Sequence, residues 1–406
     1  MKGCENMKWN TQGSQFYTLK DTLYNEYKQK KIYIYGAGQL GKRIATALRT
    51  ITDWDIVGFV DQYKAGTEYL GLQVISMAAI EEIIKEEKED LLILLALQDE
   101  NEKELSQTFE KLLAGTSNIF KCYSEFMRHD FPIIAYYQYG KVVIHSLSCI
   151  VTEICTLKCE KCAINLPFFK YRNDYSEEKI KEEIDLAFKK IDFVCDFTFT
   201  GGEPLLNNNL SEILLYISKN YSNRMGSCRI ITNGTLTPTE ELLDCMSKYH
   251  VYAEISDYTK SVKEIKQRVL SNYEKFKVAG VSTYLLSNNQ WVDFGLKKMI
   301  HKNKTEEEMI RFFDNCRTIC RGYINGNIWY CINARFAEQA LEMEYDSNNM
   351  FDLKKMADEE IERIRLIEFD MGYNERGYLT MCRYCNGGCS INEHYVEVGK
   401  QWKEVL

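Results

Sequence analysis

Three cysteines on one short stretch, Cys155-Thr-Leu-Lys-Cys159-Glu-Lys-Cys162, constrain this chain more than any other feature. They belong to a total of fifteen cysteines in 406 residues, well above ordinary usage. No apolar leader opens the sequence, and its longest apolar run, Leu91 to Leu97, is too short to span a bilayer. A cytoplasmic, reducing setting without membrane contact is therefore expected, where clustered thiols point to metal or redox chemistry rather than to a disulfide scaffold. Nine of the fifteen do cluster: the three above, then Cys316, Cys320, Cys331, Cys382, Cys385 and Cys389. Cys4, Cys122, Cys149, Cys195, Cys228 and Cys245 are scattered and read as small buried hydrophobes. Three thiolates on one loop can hold three irons of a cubane and leave the fourth iron open to a non-protein ligand, whereas a zinc site closes a tetrahedron of four.

The thiols sit in a chain long enough for roughly two to three domains. Its 45% hydrophobic and 27% charged residues are those of a core-forming globular protein. A net charge of −8 argues against a general nucleic-acid partner, which would need an excess of phosphate-neutralising cations. Near the N-terminus, the apolar strand Lys31 to Tyr35 runs into Gly36-Ala-Gly38-Gln-Leu-Gly41 and then an amphipathic segment. A second strand, Asp55 to Val60, ends in Asp61, at the distance where a carboxylate meets a ribose 2′-hydroxyl in dinucleotide-binding folds. Gly36, Gly38, Gly41 and Asp61 are accordingly candidates for NAD or a nucleotide sugar. A strand from Asp90 to Leu97 and a helix from Glu102 to Leu113 continue the alternation, and Pro132 interrupts it.

Val142 to Thr152 reads as a buried strand leading into the triad, and Thr200-Gly201-Gly202-Glu203-Pro204 follows the strand Asp196 to Thr200. Ile230-Ile-Thr232-Asn233-Gly234 closes the next strand, and Glu254-Ile-Ser256-Asp257-Tyr258 the one after. Helical segments over about 176–190, 209–221, 238–248 and 261–278 alternate with them. With Cys155, Cys159 and Cys162, these motifs in this order resemble the radical S-adenosylmethionine superfamily. The resemblance implies a [4Fe-4S] cluster on the triad and S-adenosylmethionine on its open iron. It also implies that Gly201, Gly202, Glu203 and Pro204 hold the methionine amino group, and that Thr232, Asn233, Ser256 and Asp257 lie at the cofactor, the last two meeting its ribose or carboxylate. Lys161 stands where the family often has an aromatic residue near the adenine, so no adenine contact is carried over there.

Cys316 to Cys331 alternates around Asn325-Gly326, a strong hairpin signal, and a helix from Asp352 to Phe369 precedes Cys382-Arg-Tyr-Cys385-Asn-Gly-Gly-Cys389. This third resembles the twitch domain, the shortened relative of the SPASM domain, and implies one auxiliary [4Fe-4S] cluster. Cys320, Cys331, Cys382 and Cys385 are the preferred ligands, with Cys316 in place of Cys320 as the alternative. Tyr35-Gly-Ala-Gly, Gly58-Phe-Val-Asp61 and Gly71-Leu-Gln-Val-Ile75 resemble the small N-terminal domain of bacterial sialic-acid and aminosugar acetyltransferases.

The expected architecture is α/β: a Rossmann-like doubly wound domain over 15–130, a partial (β/α)6 barrel over 140–300, and a small α+β twitch/SPASM-like domain over 305–406. The expected substrate is a small molecule, a sugar, aminosugar or nucleotide-linked sugar, with a ribosomally made peptide as the alternative. Electrons would come from a flavodoxin or ferredoxin-type donor. Trp291, Asp293 and Arg335 are candidates for substrate contact, while Lys158, His145 and Glu153 read as structural.

Overall fold

The computed structural model describes residues 14–86, 90–97, 99–287, 291–296, 298–316, 321–340, 346–388 and 390–402. The first domain is built on six strands: β1 (Lys31–Tyr35), β2 (Ile56–Val60), β3 (Glu68–Tyr69), β4 (Leu72–Ile75), β5 (Leu91–Leu95) and β6 (Ile119–Cys122). They lie in the order β3-β4-β2-β1-β5-β6, parallel except for the β3–β4 pair. Leu91 to Leu95 is apolar throughout because helices cover both faces of a parallel sheet, and all five residues are buried. Pro132 stands in the first turn of the helix Phe131–Tyr139, where its missing N–H costs nothing. Gly140, at φ 63°, ends that helix and turns the chain into the second sheet.

That sheet has eight strands. Five come from the middle of the chain: β7 (Val143–Thr152), β8 (Phe193–Gly201), β9 (Cys228–Thr232), β10 (Tyr252–Ser256) and β11 (Thr283–Leu286). They run parallel and in sequence order, joined by helices that include Glu177–Lys190, Leu210–Tyr221, Glu240–Lys248 and Lys266–Val278. The next strand, β12 (Trp291–Val292), leaves this sheet. The sixth parallel position is instead at the opposite edge, where β13 (Gly322–Ile324) of the C-terminal third pairs with β7. β14 (Asn327–Trp329) and β15 (Met350–Asp352) complete the sheet, and β12 pairs with β16 (Tyr395–Val396). Asn325 and Gly326 connect β13 to β14 with φ of 57° and 77°, the paired left-handed conformation of a tight hairpin turn. The helix expected over Asp352–Phe369 begins only at Glu360, because residues 350–352 are taken up as an edge strand.

The first domain docks on the bottom of the barrel. Arg43, on the helix Gln39–Ile51, is buried against it, with Nη2 2.8 Å from Asp196 Oδ1. Its guanidinium also donates to Ser227 Oγ and to the Tyr252 hydroxyl, each at 2.7 Å. Asp196 lies on β8 six residues before Gly202, about 20 Å of strand at roughly 3.3 Å per residue. The helix that opens on the glycine turn is thus fixed at the end of the barrel away from Gly202. Truncating one partner of a buried ion pair costs about 3–5 kcal/mol, and here Arg229, 3.0 Å from Asp196, still neutralises the carboxylate. Arg43→Ala is therefore expected to destabilise the chain by about 3 kcal/mol, the low end of that range. A thermal midpoint unchanged from the parent chain would refute this anchoring role.

Candidate active site

The triad leaves the C-terminal end of β7, the face on which parallel βα barrels carry chemistry. β7 and β8 are paired along their length, ending with Thr152 opposite Gly201. This register brings the glycine motif against the cysteine loop. Gly202 N–H donates to Thr152 O and Glu203 N–H to Ile154 O, both at 2.8 Å. A Cβ on Gly201 would sit 2.1 Å from Thr152 O, and one on Gly202 2.1 Å from Ile154 O. Both glycines are required for the strand to lie this close to the residue before Cys155.

Glu203 is fully buried, and its carboxylate is turned into the protein. It accepts from the Leu205 N–H at 3.1 Å, the Thr232 hydroxyl at 2.7 Å and the Asn233 N–H at 2.8 Å. Burial raises its pKa and these donors oppose the rise. The carboxylate and Thr232 thereby brace the end of β9. Asn233 carries the brace to the triad: its Nδ2 lies 3.6 Å from Cys155 Sγ and donates to Thr156 Oγ1 at 3.0 Å. Its Oδ1 accepts from Thr235.

In the metal-free chain, burial pushes the Cys155 thiol up to about 11 and that of Cys159 up to about 12. Iron binding must displace those protons. Tyr258, which follows Ser256 and Asp257 at the end of β10, is a site residue that the sequence motif quoted but did not single out. Burial raises its hydroxyl well above the usual range, Ser256 opposes this, and all three triad thiols act on it. Asp257 is bonded locally, accepting from Thr259 N–H at 2.9 Å and the Ser287 hydroxyl at 2.7 Å. Burial alone would raise its carboxyl, but these donors outweigh that and hold it below the usual range.

The mouth is closed by groups from three parts of the chain. Lys161, in the triad loop, pairs with Asp293 at 2.5 Å. Trp291 packs edge-on to Tyr258 with ring centroids 5.3 Å apart. Arg335 is buried and paired with Glu153, whose carboxylate also accepts from Asn173 and Tyr175. Its place after Cys331 suggested the mouth, but the helix Ile332–Ala340 turns it onto Glu153, with its guanidinium 5.6 Å from the Phe169 ring centroid. Glu153 is structural as expected, and so is His145, which is buried 3.3 Å from Arg128 Nε.

In the C-terminal third, burial raises Cys331 to about 11 and raises Cys382 and Cys385 further, and each of these thiols is acted on by Cys316. Cys316, Cys331, Cys382 and Cys385 are thus the described thiols of this third that influence one another electrostatically. Gly388 N–H donates to Cys316 Sγ at 3.2 Å and Gly387 N–H to Cys385 Sγ at 3.3 Å. Cys320 and Cys389 lie outside the described residues. The Cys385 segment is tied to the barrel mouth, since Leu296 N–H donates to Tyr384 O and Asn386 N–H to Phe294 O, both at 2.9 Å. Both places offer buried thiols with N–H groups directed at sulfur, a donor chemistry that suits iron, although among the described residues no three such groups are gathered as a metal site.

At the glycine turn, Asp61 Oδ2 accepts from Ala37 N–H at 3.0 Å, and its Oδ1 accepts from Tyr63 and Lys64 N–H at 2.9 and 3.2 Å. The carboxylate thereby fastens the turn itself. A Cβ on Gly41 would lie 2.0 Å from Gly36 O, so that glycine serves helix packing, whereas one on Gly38 would meet nothing within 4 Å.

The parallel βα sheet thus carries three cysteines on the loop after β7, beside the glycine-rich end of β8. Residues 149–332, a little under half of the chain, match the Radical SAM superfamily. Residues 31–104 match the PglD N-terminal domain. An uncharacterized protein of Methanocaldococcus jannaschii is 31% identical over 169 residues, 40% of this chain and 56% of that protein, so the chain spans little more than half of this relative. Among solved structures, BtrN in complex with AdoMet and 2-DOIA is 15% identical, covering 64% of this chain and 97% of its own, with a TM-score of 0.41. Streptococcus suis SuiB bound to precursor peptide SuiA is 14% identical, covering 63% and 56%, with a TM-score of 0.30. Among the described residues, no helix is long and apolar enough to cross a membrane.

Proposed function

We propose that this enzyme reductively cleaves S-adenosylmethionine on a cluster held by Cys155, Cys159 and Cys162 and abstracts hydrogen from a sugar, aminosugar or nucleotide-linked sugar. The observation that carries the first part is the triad itself, set at the end of β7 against the Gly201-Gly202 backbone. When bound, the cluster and S-adenosylmethionine supply an electron and a 5′-deoxyadenosyl radical. The chain's own work is to place and enclose. Asn233 reaches from the buried Glu203–Thr232 brace toward Cys155, and the Lys161–Asp293 pair narrows the mouth. Tyr258 and Trp291 offer an aromatic wall, and the charged pair beside it offers hydrogen bonds, a combination suited to a polyhydroxylated ring. The resemblance of residues 30–100 to aminosugar-modifying proteins supports the same substrate class.

A second [4Fe-4S] cluster is assigned to Cys316, Cys331, Cys382 and Cys385, and a flavodoxin or ferredoxin-type protein is the proposed donor. The enzyme is incubated anaerobically with nucleotide sugars, free aminosugars and peptides, scoring substrate-dependent 5′-deoxyadenosine. Turnover with the sugars is expected. Turnover with peptides alone would replace this reading by peptide maturation.

The glycine turn is proposed to hold NAD or a nucleotide sugar through Gly36, Gly38 and the helix N-terminus at Gln39. Because Gly38 has free space around it, Gly38→Val leaves the fold intact and blocks only an approaching pyrophosphate. Calorimetry on the full chain is expected to show loss of binding in the variant at unchanged iron content. If the parent chain binds neither ligand at millimolar concentration, the domain is a scaffold. Such a ligand lies at the bottom of the barrel, where Arg43 docks, so its sugar would not be the group the radical attacks.

A further inference from the structure

The last described residues cross the cysteine loop. After β16, Gly399 passes Tyr258 with φ of 68°, so close that a Cβ there would sit 2.9 Å from the Tyr258 Cβ. Gln401 then forms an antiparallel bridge with Cys159. Glu160 N–H donates to Lys400 O and Trp402 N–H to Lys158 O, both at 2.7 Å. The Lys400 ammonium lies 2.9 Å from Glu160, and Trp402 meets Phe168 edge-on with centroids 5.4 Å apart. The Gln401 amide is used on both sides. Its Oε1 accepts from Lys158 N–H at 2.8 Å, and its Nε2 donates to Gly399 O at 2.6 Å and to Cys159 Sγ at 3.4 Å.

We propose that Gly399–Trp402 is a strap belonging to the radical site, in which Gln401 is a positioning residue whose N–H bond to the Cys159 sulfur raises the reduction potential of the cluster held there. This rests on the assignment of that cluster to the triad. The strap lies far outside residues 149–332, so the barrel alone does not supply this bond. An N–H donor aimed at a cluster sulfur offsets part of the negative charge that one-electron reduction adds, and so favours the reduced state. The electron comes from a low-potential donor of the ferredoxin or flavodoxin class, or from dithionite in the assay. Asn233 stands in the same relation to Cys155, so the triad receives a donor from the barrel and another from the tail.

The test compares full-length reconstituted protein with Gln401→Ala and Gln401→Glu. Glu keeps the size and the Oε acceptor for Lys158 N–H but adds a negative charge that lowers the potential by itself, so it tests only whether the strap holds, and the uncharged Gln401→Ala carries the reading of the bond. The site cluster is identified by the change in its electron paramagnetic resonance spectrum on adding S-adenosylmethionine, and its midpoint potential is read by titration. Both variants are expected to keep full iron, show a more negative site potential with the auxiliary signal unmoved, and make 5′-deoxyadenosine without substrate about tenfold more slowly at fixed reductant. An unchanged site potential in Gln401→Ala at full iron would overturn the inference. A parent protein whose signal does not respond to S-adenosylmethionine would instead overturn the cluster assignment beneath it. If Gln401→Ala loses iron, Gln401→Met, uncharged and of similar length but without an N–H, takes its place in the titration.

Discussion

Replacing Cys155, Cys159 and Cys162 together by Ala is expected to abolish 5′-deoxyadenosine formation. On the proposed assignment each thiolate ligates its own iron, so the loss of all three cannot be compensated. The reading comes from anaerobic incubation with S-adenosylmethionine and dithionite, with iron counted on the same sample. Residual cleavage in the triple variant would place the chemistry elsewhere and sink the assignment. Folding is not the obstacle to this test. Thr152, Gly202 and the Glu203–Thr232–Asn233 brace are held by backbone and carboxylate bonds that do not involve the thiols. The metal-free triad is protonated near neutral pH because burial raises its thiols, so Ala replaces neutral groups rather than charges.

Much of this architecture is written in local patterns. Lys31 to Tyr35 followed by spaced glycines, the uninterrupted Leu91 to Leu95 run, and Asn325-Gly326 between short apolar strands each specify their element through sterics and burial acting over a few residues. What stayed hidden depends on distant pairing. The position of β13 between β7 and β14 is set by the fold of the C-terminal third, and no periodicity in Gly322–Ile324 announces a partner far back in the chain. Glu203 was legible as a motif residue but not as a brace, because its donors Thr232 and Asn233 arrive from the next strand. Arg335 illustrates the opposite error. A charged residue after a cysteine suggests a reactive pocket, yet a buried Glu153 was waiting for it, and an unpaired buried carboxylate is more costly than any gain from exposing the arginine. Gln401 carried no signal at all, since a glutamine near a chain end becomes informative only when its backbone is seen paired with Cys159.

The double variant Cys382→Ala, Cys385→Ala is expected to lower the iron content from about eight per chain to about four, since each cubane holds four irons. Both thiols sit among Cys316 and Cys331, and removing two of four ligands leaves a pair that cannot retain a cubane. The triad is unaffected by direct contact, so cleavage of S-adenosylmethionine without substrate should persist. Turnover of substrate should fail, for a geometric reason. The segment bearing Cys385 bonds to residues 294–296, which follow Trp291 and the Lys161–Asp293 pair at the mouth, so the auxiliary site and the substrate wall share one piece of backbone. Iron and sulfide analysis with zinc measured in parallel gives the reading. A parent chain with about four irons and stoichiometric zinc would make the C-terminal site a structural tetrahedron. The same double variant made with Cys316→Ala added should lose no further iron if Cys316 serves only this site, whereas a further loss would mean that it also serves the triad.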